Sequence, residues 1–336
     1  MDETNNFIFS INNLDIANTQ INNNGNSLRK LIIVADWIKS YLALEHYKFA
    51  EYLLEYGWEI MELSSLDLHY IKKEKCLVLC ITYDGFDTSI IKDENVTIIY
   101  KIDDLYPYKE IRNHCINNCD ILIGPYKHLF HQVENMYNNI NNKCSYWIPY
   151  SAVNDFYQDI NINITPKNKI LISGIQNEYY PFRKKMYTIS QEECYKNKFD
   201  TLSHPSYNNY NHNVINKNYY SKLNEYICCF TDALEYNYLL LKIFEITSVG
   251  SLLLVVDSIS SELNKLGFND GIHCIMCNEN NIYEKIDWIL NLNNINEVNS
   301  IRKRGMELTR NIHNTKQRAQ DFNKLIVYHM ENIKNI

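Results

Sequence analysis

Short, continuous apolar runs recur along this chain, each followed by a stretch of helical pattern. That alternation restricts its possible folds more than any other feature. Leu31-Ile32-Ile33-Val34-Ala35 is the first such run. An unbroken run of this length belongs to a strand covered on both faces, as in the middle of a parallel sheet. A helix is expected from about Leu42 to Tyr56, closed by Gly57. Trp58 to Leu63 alternates as a second strand, with Cys76–Ile81 and Val96–Tyr100 as third and fourth. A helix from about Tyr108 leads to Ile121–Gly124, and another precedes Ser145–Pro149. Strands alternating with helices imply a doubly wound parallel sheet.

The pattern then restarts. Residues 156–168 are polar and Asn-rich and read as a linker, after which Lys169–Gly174 is a strand entering a glycine turn. A helix begins at Pro181, a residue suited to a first turn. Tyr207 to Asn218, rich in Asn and Tyr, reads as a loop. Further strands are expected at Tyr226–Phe230, Leu252–Val256 and about His273–Cys277. Helices are expected near 260–266, 281–292, 297–312 and 315–333. The organisation is thus an Asn-rich extension (1–28), a first αβ domain (29–155), the linker, and a second αβ domain (169–314). Residues 315–336 are expected to cross back to the first domain. Two such domains place substrate in a cleft, beyond the carboxyl ends of the strands.

Composition removes several functional classes. A chain of 336 residues with 46% apolar residues is globular and long enough for two cores. A net charge of −7 without a basic stretch argues against a nucleic-acid surface. The N-terminus lacks the pattern of a signal peptide, and no apolar run approaches a membrane span. A soluble, cytoplasmic protein is expected, with its ten cysteines as free thiols. The wealth of Asn, Ile, Lys and Tyr suggests an AT-rich genome, such as a protist's or a large virus's; for a virus the location is the host cytoplasm. His273-Cys274-Ile275-Met276-Cys277 has the spacing of half a zinc site, but no second pair follows, so no metal is expected. No Gly-x-Gly-x-x-Gly follows the first strand, where Ala35-Asp36-Trp37-Ile38 is bulky, and there is no P-loop.

The segment from Asn237 to Asp257 carries the chemistry. Lys242 and Glu245 are three residues apart and share one helix face, ahead of Gly250-Ser251 and the strand Leu252–Val256. A lysine at a helix start opposes the macrodipole unless an anion docks there. An exposed Lys–Glu pair is the simpler alternative. With Ile172-Ser173-Gly174, Tyr180-Pro181-Phe182-Arg183 and Asp270-Gly271-Ile272-His273-Cys274, this segment resembles the donor half of GT-B glycosyltransferases of the family-4 type, particularly the spore-maturation subgroup. The resemblance covers about Lys169 to Leu325.

That resemblance implies an α/β fold of two Rossmann-like domains facing a cleft. It implies transfer of a sugar from a nucleotide-diphosphate sugar, UDP- or GDP-linked, to a glycan, protein or lipid, with retention and without a metal cofactor. Gly174, Arg183 and Lys242 would approach the donor phosphates, and Glu245 the ribose hydroxyls. Tyr238 and the loop before it would offer backbone N–H groups, and His204 would lie near the base or diphosphate. For Arg183 a solvated helix position, and for His204 a structural role, remain open. Many relatives carry a glutamate where this chain has Asn237. In the first domain, Ile98 to Pro107 resembles the family's strand followed by His-Asp, with Asp103 in place of the histidine and Asp104 after it. Both carboxylates are candidates to orient acceptor or donor; helix capping by Asp104 is the alternative. The off-pattern Asn237 and Asp103 also leave room for an inactive scaffold that binds a nucleotide sugar or glycan.

Overall fold

The computed structural model describes residues 30–35, 44–81, 86–102, 109–127, 144–205 and 214–332. The chain divides into two compact units, Met1–Pro149 with Arg318–Ile336, and Tyr150–Gln317.

In the first unit, β1 (Lys30–Ala35), β2 (Glu59–Glu62), β3 (Cys76–Ile81), β4 (Val96–Lys101), β5 (Ile121–Gly124) and β6 (Cys144–Trp147) form one sheet. Its order is β2-β1-β3-β4-β5-β6 and every pairing is parallel. The order reverses between β1 and β3. The residues that follow those two strands, 36–43 and 82–85, lie outside the described residues, as do Asp103 and Asp104. Helices α1 (Leu44–Leu53), α2 (Leu68–Lys72) and α3 (Lys109–Asn118) connect the strands. Phe49, Ala50 and Leu53 of α1 are fully buried against Ile33, Ala35 and Leu79. Phe49 and Leu53 each contribute about 1.5–3 kcal/mol by leaving water.

The second unit holds β7 (Lys167–Ser173), β8 (Phe199–Leu202), β9 (Tyr226–Thr231), β10 (Leu252–Val256) and β11 (Ile275–Cys277). This sheet is also all parallel, in the order β11-β10-β9-β7-β8. Its helices are α4 (Asn154–Tyr157), α5 (Pro181–Gln191), α6 (Asn216–Asn224), α7 (Lys242–Ser248), α8 (Ser260–Lys265), α9 (Ile282–Leu290) and α10 (Ile295–Ile312). The last helix, α11 (Thr315–Asn332), begins here, and its residues from Arg318 onward belong to the first unit. There Phe322 packs on Phe49 and Trp58, with ring centroids 5.5 and 5.8 Å away.

Four elements depart from the sequence reading: α2, α4, β8 and α6. The segment read as a linker, 156–168, lies within the second unit. Its carbonyls accept from two arginines of α10: Arg310 reaches Ile160 O at 2.6 Å and Arg302 reaches Asn163 O at 2.9 Å. Polar composition suggested a free connector, whereas backbone carbonyls bind it. Helix α6 begins within the stretch that its composition marks as loop, because only its Tyr220 and Leu223 are buried. Among the described residues no helix is long and apolar enough to cross a membrane.

Candidate functional site

In a doubly wound sheet, the loops leaving the strands on either side of the order reversal diverge and open a crevice at their carboxyl ends. In the second sheet this point lies between β7, ending at Ser173, and β9, ending at Thr231. Three of the residues singled out above meet here. Gly174 follows β7 with φ +105°, and its N–H donates to Leu202 O at 3.0 Å. A Cβ at this position would sit 3.0 Å from Arg183 Nη1 and 3.4 Å from Lys242 Cε. Glycine thus permits both a backbone angle and a close approach that other residues resist.

Arg183 is an interior residue, only 1% exposed, which removes the solvated alternative. Its Nη1 donates to Ile175 O at 2.9 Å and its Nη2 to Asp232 Oδ1 at 3.2 Å. Its backbone N–H donates to the other carboxylate oxygen of Asp232 at 3.0 Å. The guanidinium carbon lies 4.0 Å from the Tyr180 ring centroid. Part of the fork expected to face phosphate is therefore engaged by protein acceptors. The Nε–H is buried with no acceptor among the described residues. Burial pushes the Asp232 carboxyl up, and the charge of Arg183 pulls it partly back.

Lys242 is the first residue of α7, and its Nζ donates to Tyr219 Oη at 2.8 Å. Tyr219 Oη in turn lies 2.7 Å from Ser173 Oγ. Burial lowers the Lys242 ammonium to about 8, against which Glu245 acts to raise it and Arg183 to lower it further. Burial, with the Glu245 charge second, pushes the Tyr219 phenol well up. Glu245 lies on the same face of α7, one turn on, half-buried. Seven residues are too few for a strong macrodipole, so Lys242 is the principal source of positive charge at this helix end.

The far end of α7 explains its placement. Arg310 Nε donates to Ser248 O at 2.7 Å and Arg302 Nε to Gly250 O at 2.8 Å. Thr247 Oγ1 and Thr309 Oγ1 are 2.6 Å apart. Cations at the C-terminal carbonyls anchor the helix and so aim its first residue.

The loop from β9 to α7 differs from expectation. The Tyr238 N–H donates to Ala233 O, that of Asn237 to Leu234 O and that of Glu235 to Tyr179 O, so none of these faces a ligand. The Tyr238 side chain is 1% exposed, in the core against Tyr236. Asn237 is exposed at φ 55°. His204 is half-buried two residues beyond β8, on the same carboxyl edge as Gly174. The side chains of Asp232, Ser173 and Tyr219 carry no role in the sequence analysis. Their positions directly after or at the end of the switch-point strands could have signalled the first two. Among the described residues no three His, Cys, Asp or Glu side chains gather to hold a metal ion.

No family model matches the chain, and no curated protein matches it in sequence. Solved structures do match. A glycosyltransferase from Rickettsia africae aligns over 89% of this chain and 98% of its own, at 10% identity and a TM-score of 0.57. Alr3699/HepE from Anabaena, in complex with UDP-glucose, aligns over 88% and 99%, at 9% identity and 0.55. A trehalose-6-phosphate synthase, studied for glycosyl transfer with retention, aligns over 91% and 99%, at 9% identity and 0.56. The chain has an α/β fold like that of GT-B glycosyltransferases, with parallel sheets of six and five strands.

Proposed function

We propose that this protein is a glycosyltransferase that takes a sugar from a nucleotide-diphosphate donor bound at the β7–β9 switch point. The observation that carries this reading is the convergence of Gly174, Arg183 and Lys242 there, with Glu245 one turn along α7. A uridine diphosphate sugar is the favoured donor, since one neighbour of the same fold holds UDP-glucose. Retention is favoured by the likeness to the trehalose-6-phosphate synthase. The acceptor is a glycan, protein or lipid. The cytosol suits the ten free cysteines.

As the bond from the anomeric carbon to the diphosphate oxygen breaks, negative charge grows on the leaving diphosphate. Lys242 and Arg183, preorganised in a partly water-excluded corner, stabilise that charge. Lys242 retains two ammonium N–H bonds beyond the one given to Tyr219. Glu245 accepts from the ribose hydroxyls. The two cations supply the charge stabilisation that a divalent ion supplies elsewhere, so the transfer proceeds in EDTA.

The test is a panel of UDP-, GDP-, dTDP- and ADP-sugars with EDTA, read by thermal shift and by nucleotide release. One nucleotide family should stabilise wild type and be released slowly. Lys242→Met should lower turnover by about 10²–10³-fold, and Glu245→Ala should weaken binding. A second reading, a scaffold that binds the nucleotide sugar without turnover, is motivated by Asn237. Binding with no release would select it. No binding by any donor would reject both.

A further inference from the structure

Two hydroxyls, those of Ser173 and Tyr219, complete the corner occupied by Gly174 and Lys242. Ser173 ends β7 and is 2% exposed. Tyr219, on α6, lies 2.7 Å from it, oxygen to oxygen, and 2.8 Å from Lys242 Nζ. An ammonium only donates, so Tyr219 Oη accepts from Lys242 whichever way the hydroxyls turn. The contact between the hydroxyls uses one of their two protons. The other has no acceptor among the described residues, and neither has the buried Arg183 Nε–H. Donors left unmet in a buried corner are unfavourable until an oxygen-rich ligand arrives.

We infer that Ser173 and Tyr219 are part of the diphosphate cradle: Tyr219 is a positioning residue that aims the Lys242 ammonium, and the pair's remaining hydroxyl proton donates to a phosphate oxygen. This rests on the donor-site reading above. The groups around Lys242 are Ser173 from β7, Arg183 from α5, Tyr219 from α6, Cys229 and Asp232 from β9 and its following loop, and Glu245 from α7. Removing the Tyr219 oxygen deletes an acceptor that favours charged Lys242. The lysine, already lowered to about 8 by burial, then loses its proton at a lower pH.

The experiment is calorimetric titration of the full chain with inorganic pyrophosphate, with UDP and with uridine, across about pH 6.5 to 9.5. Wild type, Tyr219→Phe and Ser173→Ala are compared, each first shown to melt cooperatively. Tyr219→Phe is expected to weaken pyrophosphate about tenfold near neutrality and to move the pH midpoint of binding downward. Ser173→Ala, the smaller change, is expected to weaken pyrophosphate while uridine binding is unaltered. It decides the matter if Tyr219→Phe does not fold. Folded variants that bind pyrophosphate as wild type does, or a Tyr219→Phe loss with an unmoved midpoint, overturn the inference and leave the donor site standing. A wild type that binds neither pyrophosphate nor any nucleotide overturns both.

Discussion

Lys242 is charged in a place that disfavours charge, and its titration is the most direct handle on the site. With its pKa lowered from 10.5 to about 8, the ammonium form dominates at neutrality. Diphosphate affinity should be flat below about pH 7 and fall as pH rises through about 8. A Kd-against-pH series checks this, and Lys242→Met should abolish the slope. The same group affects stability with the opposite sense. Between about pH 8 and 10.5 the unfolded chain binds a proton that the folded chain has released, so this residue's contribution to stability rises with pH there. At Gly174, a methyl group meets both a positive φ and Arg183, so Gly174→Ala should cost about 1–3 kcal/mol in urea unfolding and weaken nucleotide binding. Asn237 carries another lesson. Its φ of 55° is a conformation that asparagine adopts at less cost than glutamate. Asn237→Glu should therefore destabilise by about 1 kcal/mol. A variant as stable as wild type in urea would show that the loop re-forms.

At the scale of elements, α7 is positioned from behind. Its C-terminal carbonyl Ser248 O and the carbonyl of Ile160 both receive Arg310. Arg310→Met should cost about 2 kcal/mol and weaken nucleotide binding without touching the ligand, read as a lowered Tm and a raised Kd. The strands β1, β3, β5 and β10 were legible because a buried parallel strand must be apolar throughout. Helix α6 was not. Its sequence, Asn216-Lys217-Asn218-Tyr219-Tyr220-Ser221-Lys222-Leu223-Asn224, carries little apolar periodicity, and its stability comes from tertiary packing. Tyr220 Oη accepts the Val153 N–H at 3.1 Å and its ring meets Phe156 at 5.5 Å. The positioning residue Tyr219 sits on this helix and is as illegible in sequence as the helix itself.

For the whole molecule, the second unit is one continuous segment, whereas the first requires the chain's last helix. Ala319, Phe322, Leu325 and Ile326 belong to the first unit's core. Phe322→Ala should therefore cost about 3–5 kcal/mol, concentrated in the first unit. Hydrogen exchange should show lost protection in β1, β3 and α1 while β7 and β9 keep theirs. Equal loss in both sheets would mean that the two units unfold as one.

What the amino-acid order alone determined was the two parallel sheets, their central strands and the segment bearing Lys242 and Glu245. Periodicity and apolar runs report burial, and burial is what strands and helix faces require. Tertiary structure alone decided that Arg183 faces Asp232, that Tyr238 is core, and that Tyr219 joins Ser173 to Lys242. Those contacts span 23 to 49 residues along the chain, and a hydrogen bond between distant residues leaves no local pattern in sequence.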